Sequence, residues 1–337
     1  MPRVAFQGRS YEVGGQSLLD CLTARGHAIP NGCRAGICQA CLMRVVRGAV
    51  PAKAQEGLPA AFVARGLFLA CQCHPADGVA ADDDLEVALA DDAIERYEAQ
   101  VRAIERLNED TCALSLQAPG HFAYRAGQFL QLFLDERTAR NYSLASVPEL
   151  DQHLMLHVRR VPGGQVSGWI FEHLQTGDRV TISEARGNCF YVPGAPDQGI
   201  LLIGTGSGLA PLYGIARDAL HQAHRGPIRL YHGSRDSAGL YLGESLRLLA
   251  EAYPNFHYAP CVSEASSIDG CWTGTPLDLA IHDQPDLSGW RVYLCGNPQM
   301  VEAARLQTFL AGAASGQILA DPFLPTGNAP AQDAAIR

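Results

Sequence analysis

The chain has no run of basic residues anywhere in its 337 positions, and its formal net charge is −9. A nucleic-acid footprint needs clustered positive charge, so that class of partner is excluded. Charge of this sign suits a protein partner with a basic patch, and it serves solubility equally well. No apolar run approaches the roughly 20 residues that a membrane-spanning helix needs. The N-terminal stretch MPRVAFQGRSYEV lacks the apolar core of a secretory signal and reads as strand. No Ser/His/Asp set and no paired carboxylates stand at a spacing suited to nucleophilic or acid–base work. Histidines such as His157 and His232 fall in strand-like stretches and read as strand residues rather than ligands. The chemistry must therefore come from groups the chain binds.

Cysteine is plentiful. There are eleven, an odd and scattered set in a long chain, which argues against a disulfide framework and fits a reducing cytoplasm. Three of them, Cys33, Cys38 and Cys41, stand at C-x4-C-x2-C inside NGCRAGICQAC. A fourth, Cys71, follows after twenty-nine intervening residues, within LFLACQC. Four thiolates in that order form the ligand set of a plant-type [2Fe–2S] cluster. A short loop wrapping a cluster must turn sharply beside the sulfides, and Gly32, Ala35, Gly36 and Ala40 keep its wall small. Structural zinc favours two short C-x2–4-C knuckles and fits less well. Spacing alone leaves the closing ligand open between Cys71 and Cys73, since residues two apart on a strand face the same way.

The pattern of apolar residues divides the chain into several domains. Arg3–Val13 reads as a hairpin around Gly8. Ser17–Arg25 reads as a helix capped by Ser17 and stopped by Gly26. Cys41–Val46, Leu67–Cys71 and Leu85–Leu89 read as strands, with at most a short helix within Ala52–Gly66. An acidic linker, Asp82–Asp84 with Asp91 and Asp92, follows.

From Tyr97 the period becomes two. Gln100–Arg106, Thr111–Gln117, Gln128–Phe133, Asn141–Ala145, His153–Val161 and Arg179–Ser183 predict an antiparallel barrel. Within it, Arg140-Asn141-Tyr142-Ser143 puts a guanidinium and an aromatic ring on one strand face. The first can bind a phosphate and the second can stack on a planar heterocycle. Gly163-Gly164-Gln165-Val166-Ser167 enters a helix, where free N–H groups make an anion site.

From Gly199 the pattern is strand, glycine turn, helix, repeated. Strands Ile200–Ile203, Ile228–His232, Phe256–Val262 and Arg291–Cys295 alternate with helices Leu212–His221, Tyr241–Ala252 and Gln299–Ala311. That order predicts a parallel sheet binding a nucleotide at the strand C-termini. The first turn, Gly204-Thr205-Gly206-Ser207-Gly208, has no following lysine and so is not a P-loop. Leu209 also stands where a third fingerprint glycine would be. Thr326–Arg337 has no periodicity and reads as a tail.

Taken together, the cluster loop, Arg140–Ser143, Gly163–Ser167, Gly204–Pro211 and Cys295–Pro298 resemble the ferredoxin–NADP reductase superfamily. The order of domains is similar to that of reductase components of oxygenases. The resemblance implies a β-grasp ferredoxin domain over 1–92, an FAD-binding antiparallel β-barrel over 97–195 and an α/β nucleotide-binding domain over 196–323, with a flexible tail over 324–337. It implies Cys33, Cys38, Cys41 and Cys71 as cluster ligands, Cys71 being the first cysteine after the apolar strand. It implies that Arg140, with Asn141 beside it, holds the flavin pyrophosphate. Tyr142 would stack on the isoalloxazine, Ser143 would bond near N5, and Gly164, Val166 and Ser167 would cradle the pyrophosphate. Gly204, Thr205, Gly206, Ser207 and Gly208 would face the dinucleotide, Cys295 and Gly296 the nicotinamide, and Phe323 the flavin. Tyr142, Ser143 and Cys295 are then the catalytic candidates.

FAD rather than FMN is implied by the N-terminal position of the cluster domain. Arg235 could meet a 2′-phosphate, but Asp236 beside it favours a ribose diol, so NADH is expected over NADPH. The expected activity is a relay from NADH through FAD and the cluster to a partner protein. That partner is an aromatic-ring dioxygenase or a diiron monooxygenase, or in an alternative reading a dehydratase of deoxysugar synthesis. A redox-sensing cluster module with an inactive flavin site is the reading from another class.

Overall fold

The computed structural model describes residues 2–27, 29, 36, 39, 41–58, 60–75, 85–90, 95–136, 138–264 and 270–323. Two compact units span Met1–Ala88 and Leu89–Pro322.

In the first unit, β1 (Arg3–Phe6) and β2 (Arg9–Glu12) form an antiparallel hairpin. Its two turn residues, Gln7 and Gly8, both have positive φ, the conformation that suits the twist of a two-residue hairpin. Helix α1 (Leu18–Thr23) begins at Ser17, whose hydroxyl accepts the Asp20 N–H at 3.1 Å. It buries Leu18, Leu19 and Leu22 completely, at about 2 kcal/mol of transfer free energy each. Next come β3 (Leu42–Arg47), the short helix α2 (Ala60–Ala64), β4 (Leu67–Leu69) and β5 (Leu85–Leu89). The sheet order is β2-β1-β5-β3-β4, with β1 parallel to β5 and β3 antiparallel to β4. The strand expected over Leu67–Cys71 ends at Leu69, so Cys71 and Cys73 do not share a strand face. The acidic linker lies outside the described residues.

The second unit opens with six antiparallel strands. They are β6 (Arg96–Arg106), β7 (Thr111–Gln117), β8 (Phe129–Phe133), β9 (Ala139–Ser143), β10 (Leu154–Arg159) and β11 (Arg179–Ser183). Their order is β10-β7-β6-β11-β8-β9, and a bridge from Leu144 to Leu156 joins the two ends. Alternate residues of each strand face inward, including Leu114, Leu130, Leu132, Leu156 and Val158. Helix α3 (Gln165–Glu172) covers this core with Val166 and Ile170.

The rest is α/β: β12 (Ile200–Thr205), α4 (Leu209–His221), β13 (Ile228–Ser234), α5 (Gly243–Ala252), β14 (Phe256–Val262), β15 (Trp272–Thr273), α6 (Pro276–Asp283), β16 (Arg291–Gly296), α7 (Pro298–Leu310) and β17 (Ile318–Pro322). All neighbouring pairs are parallel, in the order β15-β14-β13-β12-β16-β17. The run Ile200–Ile203 is apolar throughout because both faces are covered. Ile200 and Leu202 pack with α4 and α5, while Leu201 and Ile203 pack with α6 and α7.

Three elements were not anticipated. β15 and β17 are short edge strands, and β17 ends in Pro322. Helix α6 begins inside the sequence Gly274-Thr275-Pro276. Its Thr275 accepts the Asp278 N–H at 3.1 Å, and Pro276 occupies the first helical position, where no N–H is needed. Pro211 likewise sits in the first turn of α4, which starts three residues before the expected Leu212.

The antiparallel and parallel sheets are fastened together. A Cβ on Gly214 of α4 would stand 3.1 Å from the carbonyls of Leu144 and Ala145, and one on Gly127 would stand 2.7 Å from Ile215. Arg217 of α4 grips Asp151 through two bonds of 2.8 Å, both side chains being largely buried. Replacing Arg217 with Met should lower stability by roughly 2–4 kcal/mol, because it strands a buried carboxylate. An unchanged urea midpoint would show that the pair contributes nothing.

Candidate functional site

Cys41 and Cys71 come together at the ends of β3 and β4. The Cys71 N–H donates to the Cys41 sulfur at 3.4 Å, and both residues are buried. Gly36, with φ +82, lies where a Cβ would stand 3.0 Å from the Gln72 side chain, so this residue sits beside the Cys71 turn. Cys33 and Cys38 lie outside the described residues. Cys73 is fully buried, its carbonyl receives the Leu18 N–H at 2.8 Å, and burial pushes its thiol up to about 12. It behaves as a small hydrophobe.

On β9, Arg140 stands opposite Leu132 and Tyr142 opposite Leu130, so the two share a strand face with Asn141 on the other. Tyr142 packs on the antiparallel core, and burial raises its hydroxyl well above the usual tyrosine range. Ser143 is buried, and its hydroxyl donates to an Asp321 carboxylate oxygen at 3.1 Å. Asp321 lies on β17 opposite Cys295 of β16. Strand β9 thus meets, through the Asp321 carboxylate, the strand that pairs with the Cys295 strand. Asp321 is a site residue that the sequence reading missed, because β17 itself was not recognised. Phe323, which follows β17, groups with the first unit rather than with this one.

The entry to α3 is a cradle too tight for a side chain. A Cβ on Gly164 would lie 2.6 Å from the Ser167 hydroxyl and 3.0 Å from the Val161 carbonyl. Ser167 accepts the Val161 N–H at 3.1 Å, and Val166 is buried in the core. The Gly164 N–H donates to the Val161 carbonyl at 2.8 Å, which closes the turn directly before the helix N-terminus, an end of a helix that suits a phosphate.

The turn after β12 interlocks with the turn after β16. A Cβ on Gly208 would collide with the Cys295 carbonyl, and one on Gly296 would stand 2.5 Å from the Thr205 carbonyl. The Thr205 hydroxyl accepts the Asn297 N–H at 2.9 Å. Gly204 faces Leu212 in the same way, at 2.6 Å. The N-cap Gly208 of α4 has no side chain with which to cap the helix terminus. Cys295 is fully buried with its sulfur 3.8 Å from that of Cys189, and burial raises its thiol far above the ordinary value.

Arg159, also missed, leans over this turn from β10. Its Nη1 is 3.4 Å from where a Cβ of Gly206 would stand, and its Nε bonds Asp110 at 2.8 Å. An Arg-Arg pair at a strand end carries no sequence signal by itself. Arg235 is exposed at the end of β13. Asp236 caps the turn that follows, accepting the Gly239 N–H at 3.1 Å. His157 and His232 are indeed strand residues, fully enclosed around Tyr241.

These features agree with three family matches. Residues 4–76 match the 2Fe-2S iron-sulfur cluster binding domain, 98–191 the oxidoreductase FAD-binding domain, and 202–306 the oxidoreductase NAD-binding domain. The expected [2Fe–2S], flavin and nicotinamide domains are present in the expected order. The chain is 36% identical to the aromatic O-demethylase reductase subunit of Amycolatopsis sp. (strain ATCC 39116 / 75iv2), over 86% of this chain and 88% of that one. It is 33% identical to the ferredoxin–NAD(P)+ reductase component of the naphthalene 1,2-dioxygenase system of Pseudomonas putida, over 93% and 95%. The solved Amycolatopsis cytochrome P450 reductase GcoB superposes with a TM-score of 0.69 at 33% identity, covering 97% of this chain and all of that one. Among the described residues, no helix is long and apolar enough to cross a membrane.

The buried histidines set a pH dependence. Burial, with His232 nearby, holds His157 down at about 3, and burial holds His232 at about 4. Both are neutral when folded, whereas the unfolded chain takes up protons below about pH 6.5. Their contribution is complete above that pH and is lost as the pH falls through it towards about 4. Unfolding free energy should drop by roughly 2.5 kcal/mol between about pH 7 and about pH 5.5 from these two groups. His157→Phe should remove about half of that drop in urea titrations, and an identical slope would contradict the assignment.

Proposed function

We propose a function that starts from the family to which this chain belongs, the ferredoxin–NAD(P)+ reductase components of oxygenase systems: it oxidises NADH and passes the electrons to a terminal oxygenase. A flavin held here would supply the change from two-electron hydride chemistry to one-electron transfer, and a [2Fe–2S] cluster held by the four cysteines would supply the one-electron outlet. The chain's own residues bind, orient and shield. The observation that carries this reading is the Ser143–Asp321 bond at 3.1 Å, with Asp321 beside Cys295. It holds the flavin strand and the nicotinamide strand together in one buried place, and it speaks against a flavin-inactive redox sensor.

In this reading Arg140 and the Gly164–Ser167 cradle, with Asn141 and Val166, hold the FAD pyrophosphate. The Tyr142 ring, kept neutral by burial, stacks on the isoalloxazine, and Ser143 sits near its reactive edge with a hydroxyl fixed by Asp321. Gly204, Thr205, Gly206, Ser207 and Gly208, with the Arg159 guanidinium, hold the dinucleotide. Cys295 and Gly296 border the nicotinamide. Cys33, Cys38, Cys41 and Cys71 grip the irons, since Cys71 meets Cys41 while Cys73 is occupied in packing. The first sheet with α1 is a β-grasp. The second is a barrel closed between Leu144 and Leu156. The domains run 1–92, 97–195 and 196–323, and the compartment is a reducing cytoplasm.

NADH is favoured over NADPH. Arg235 is a single exposed cation, and the Asp236 carboxylate beside it would repel a 2′-phosphate. The oxygenase partner can be of the dioxygenase type, like that named for the naphthalene relative. It can also be a P450 type, like that named for the GcoB structure, a class the sequence reading did not include. A pair of variants tests the assignment. Ser143→Ala should lower both ferricyanide and cytochrome c reduction at least about tenfold, the scale of a lost positioned hydrogen bond in catalysis. Cys38→Ser should retain ferricyanide reduction and lose cytochrome c reduction. Equal loss of both activities in Cys38→Ser would contradict separate flavin and cluster roles.

A further inference from the structure

His232 lies near the carboxyl end of β13 with no solvent exposure. Its Nε2 is 3.1 Å from the Gly206 carbonyl oxygen. A carbonyl only accepts, so this imidazole carries its proton on Nε2 and leaves Nδ1 as a bare acceptor. Nδ1 has no hydrogen-bond partner among the described residues. An apolar side chain would fill the position without burying an unpaired lone pair, so the imidazole is costly there unless its Nε2–H is needed.

Gly206 is the only residue of the 204–208 turn with a positive φ, +55. Its carbonyl also receives the Leu209 N–H at the start of α4. In a trans peptide the N–H points opposite to the carbonyl. Fixing the Gly206 carbonyl against the buried ring therefore aims the Ser207 N–H away from the sheet interior. The imidazole is itself held. The Tyr241 ring meets it edge-on at 5.5 Å and meets His157 at 5.3 Å, and the Tyr241 hydroxyl contacts His157 Nδ1 at 3.2 Å. His157 and Arg159 stand two residues apart on β10, so one strand of the antiparallel sheet meets both Tyr241 and Gly206.

We propose that His232 is a positioning residue for the dinucleotide: its Nε2–H sets the Gly206–Ser207 peptide so that the turn presents its N–H to the dinucleotide's phosphates. This rests on the reading that the 204–208 turn binds the dinucleotide. His232 touches no substrate and acts through Gly206.

Asparagine and glutamine separate the two ring nitrogens. The Gln amide can place a donor where Nε2 stands, and the Asn amide only where Nδ1 stands. His232→Gln and His232→Asn are measured as FAD-loaded, full-length protein in steady-state NADH oxidation with ferricyanide, alongside Gly206→Ala. His232→Gln should keep the NADH KM within about threefold. His232→Asn should raise it about tenfold, the scale of one lost hydrogen bond, with kcat and flavin content kept. Equal KM values for the two variants, or a fall in kcat without a change in KM, would overturn the proposal. Gly206→Ala forces a Cβ onto a left-handed residue beside Arg159. If it raises KM while His232→Asn does not, the turn binds the dinucleotide but His232 does not position it. If neither raises KM, the reading of the turn itself fails.

Discussion

The structure of the second unit depends on how closely two backbone turns approach. Gly208 lies against the Cys295 carbonyl and Gly296 against the Thr205 carbonyl, at separations that no Cβ could enter. Only glycine allows this, and it keeps side chains out of the space between the two turns at the head of α4. Everything proposed for the dinucleotide follows from that contact. A side chain at either glycine would part β12 from β16 at the carboxyl edge and shift Cys295, and with it the Asp321 that meets Ser143.

A second close approach keeps the two sheets in register. Gly214 and Gly127 let α4 lie directly on the antiparallel sheet, and Arg217 locks it there through Asp151. The polar groups drawn into this dry region stay neutral: the histidines are held unprotonated, and the Tyr142, Tyr241 and Cys295 hydroxyls and thiol are held protonated by burial. Such a region suits redox chemistry carried by bound groups, where the protein supplies orientation and excludes water.

Much of this was legible in the chain before folding. Apolar periodicity marked β7, β11 and β14 to the residue, because each is flanked by turn residues and packs one or both faces. Four motifs in a fixed order, Arg140–Ser143, Gly163–Ser167, Gly204–Pro211 and Cys295–Pro298, after a cysteine loop, pointed to the domain types. What stayed hidden depended on distant partners. Asp321 becomes a site residue only when β17 pairs with β16 and meets β9, 178 positions away in the chain. Arg159 and His232 acquire roles only when β10 and β13 converge on Gly206. The choice between Cys71 and Cys73 could not come from strand periodicity, since β4 stops at Leu69 and the chain turns before either residue.

The central claim is that a pyridine nucleotide, a flavin and a four-cysteine cluster lie on one electron path. Anaerobic titration of the iron- and FAD-loaded protein with NADH tests it most directly. The account predicts bleaching of both the flavin and the cluster absorbance, and in Cys71→Ser bleaching of the flavin alone. Loaded protein whose visible spectrum is unmoved by NADH would contradict it.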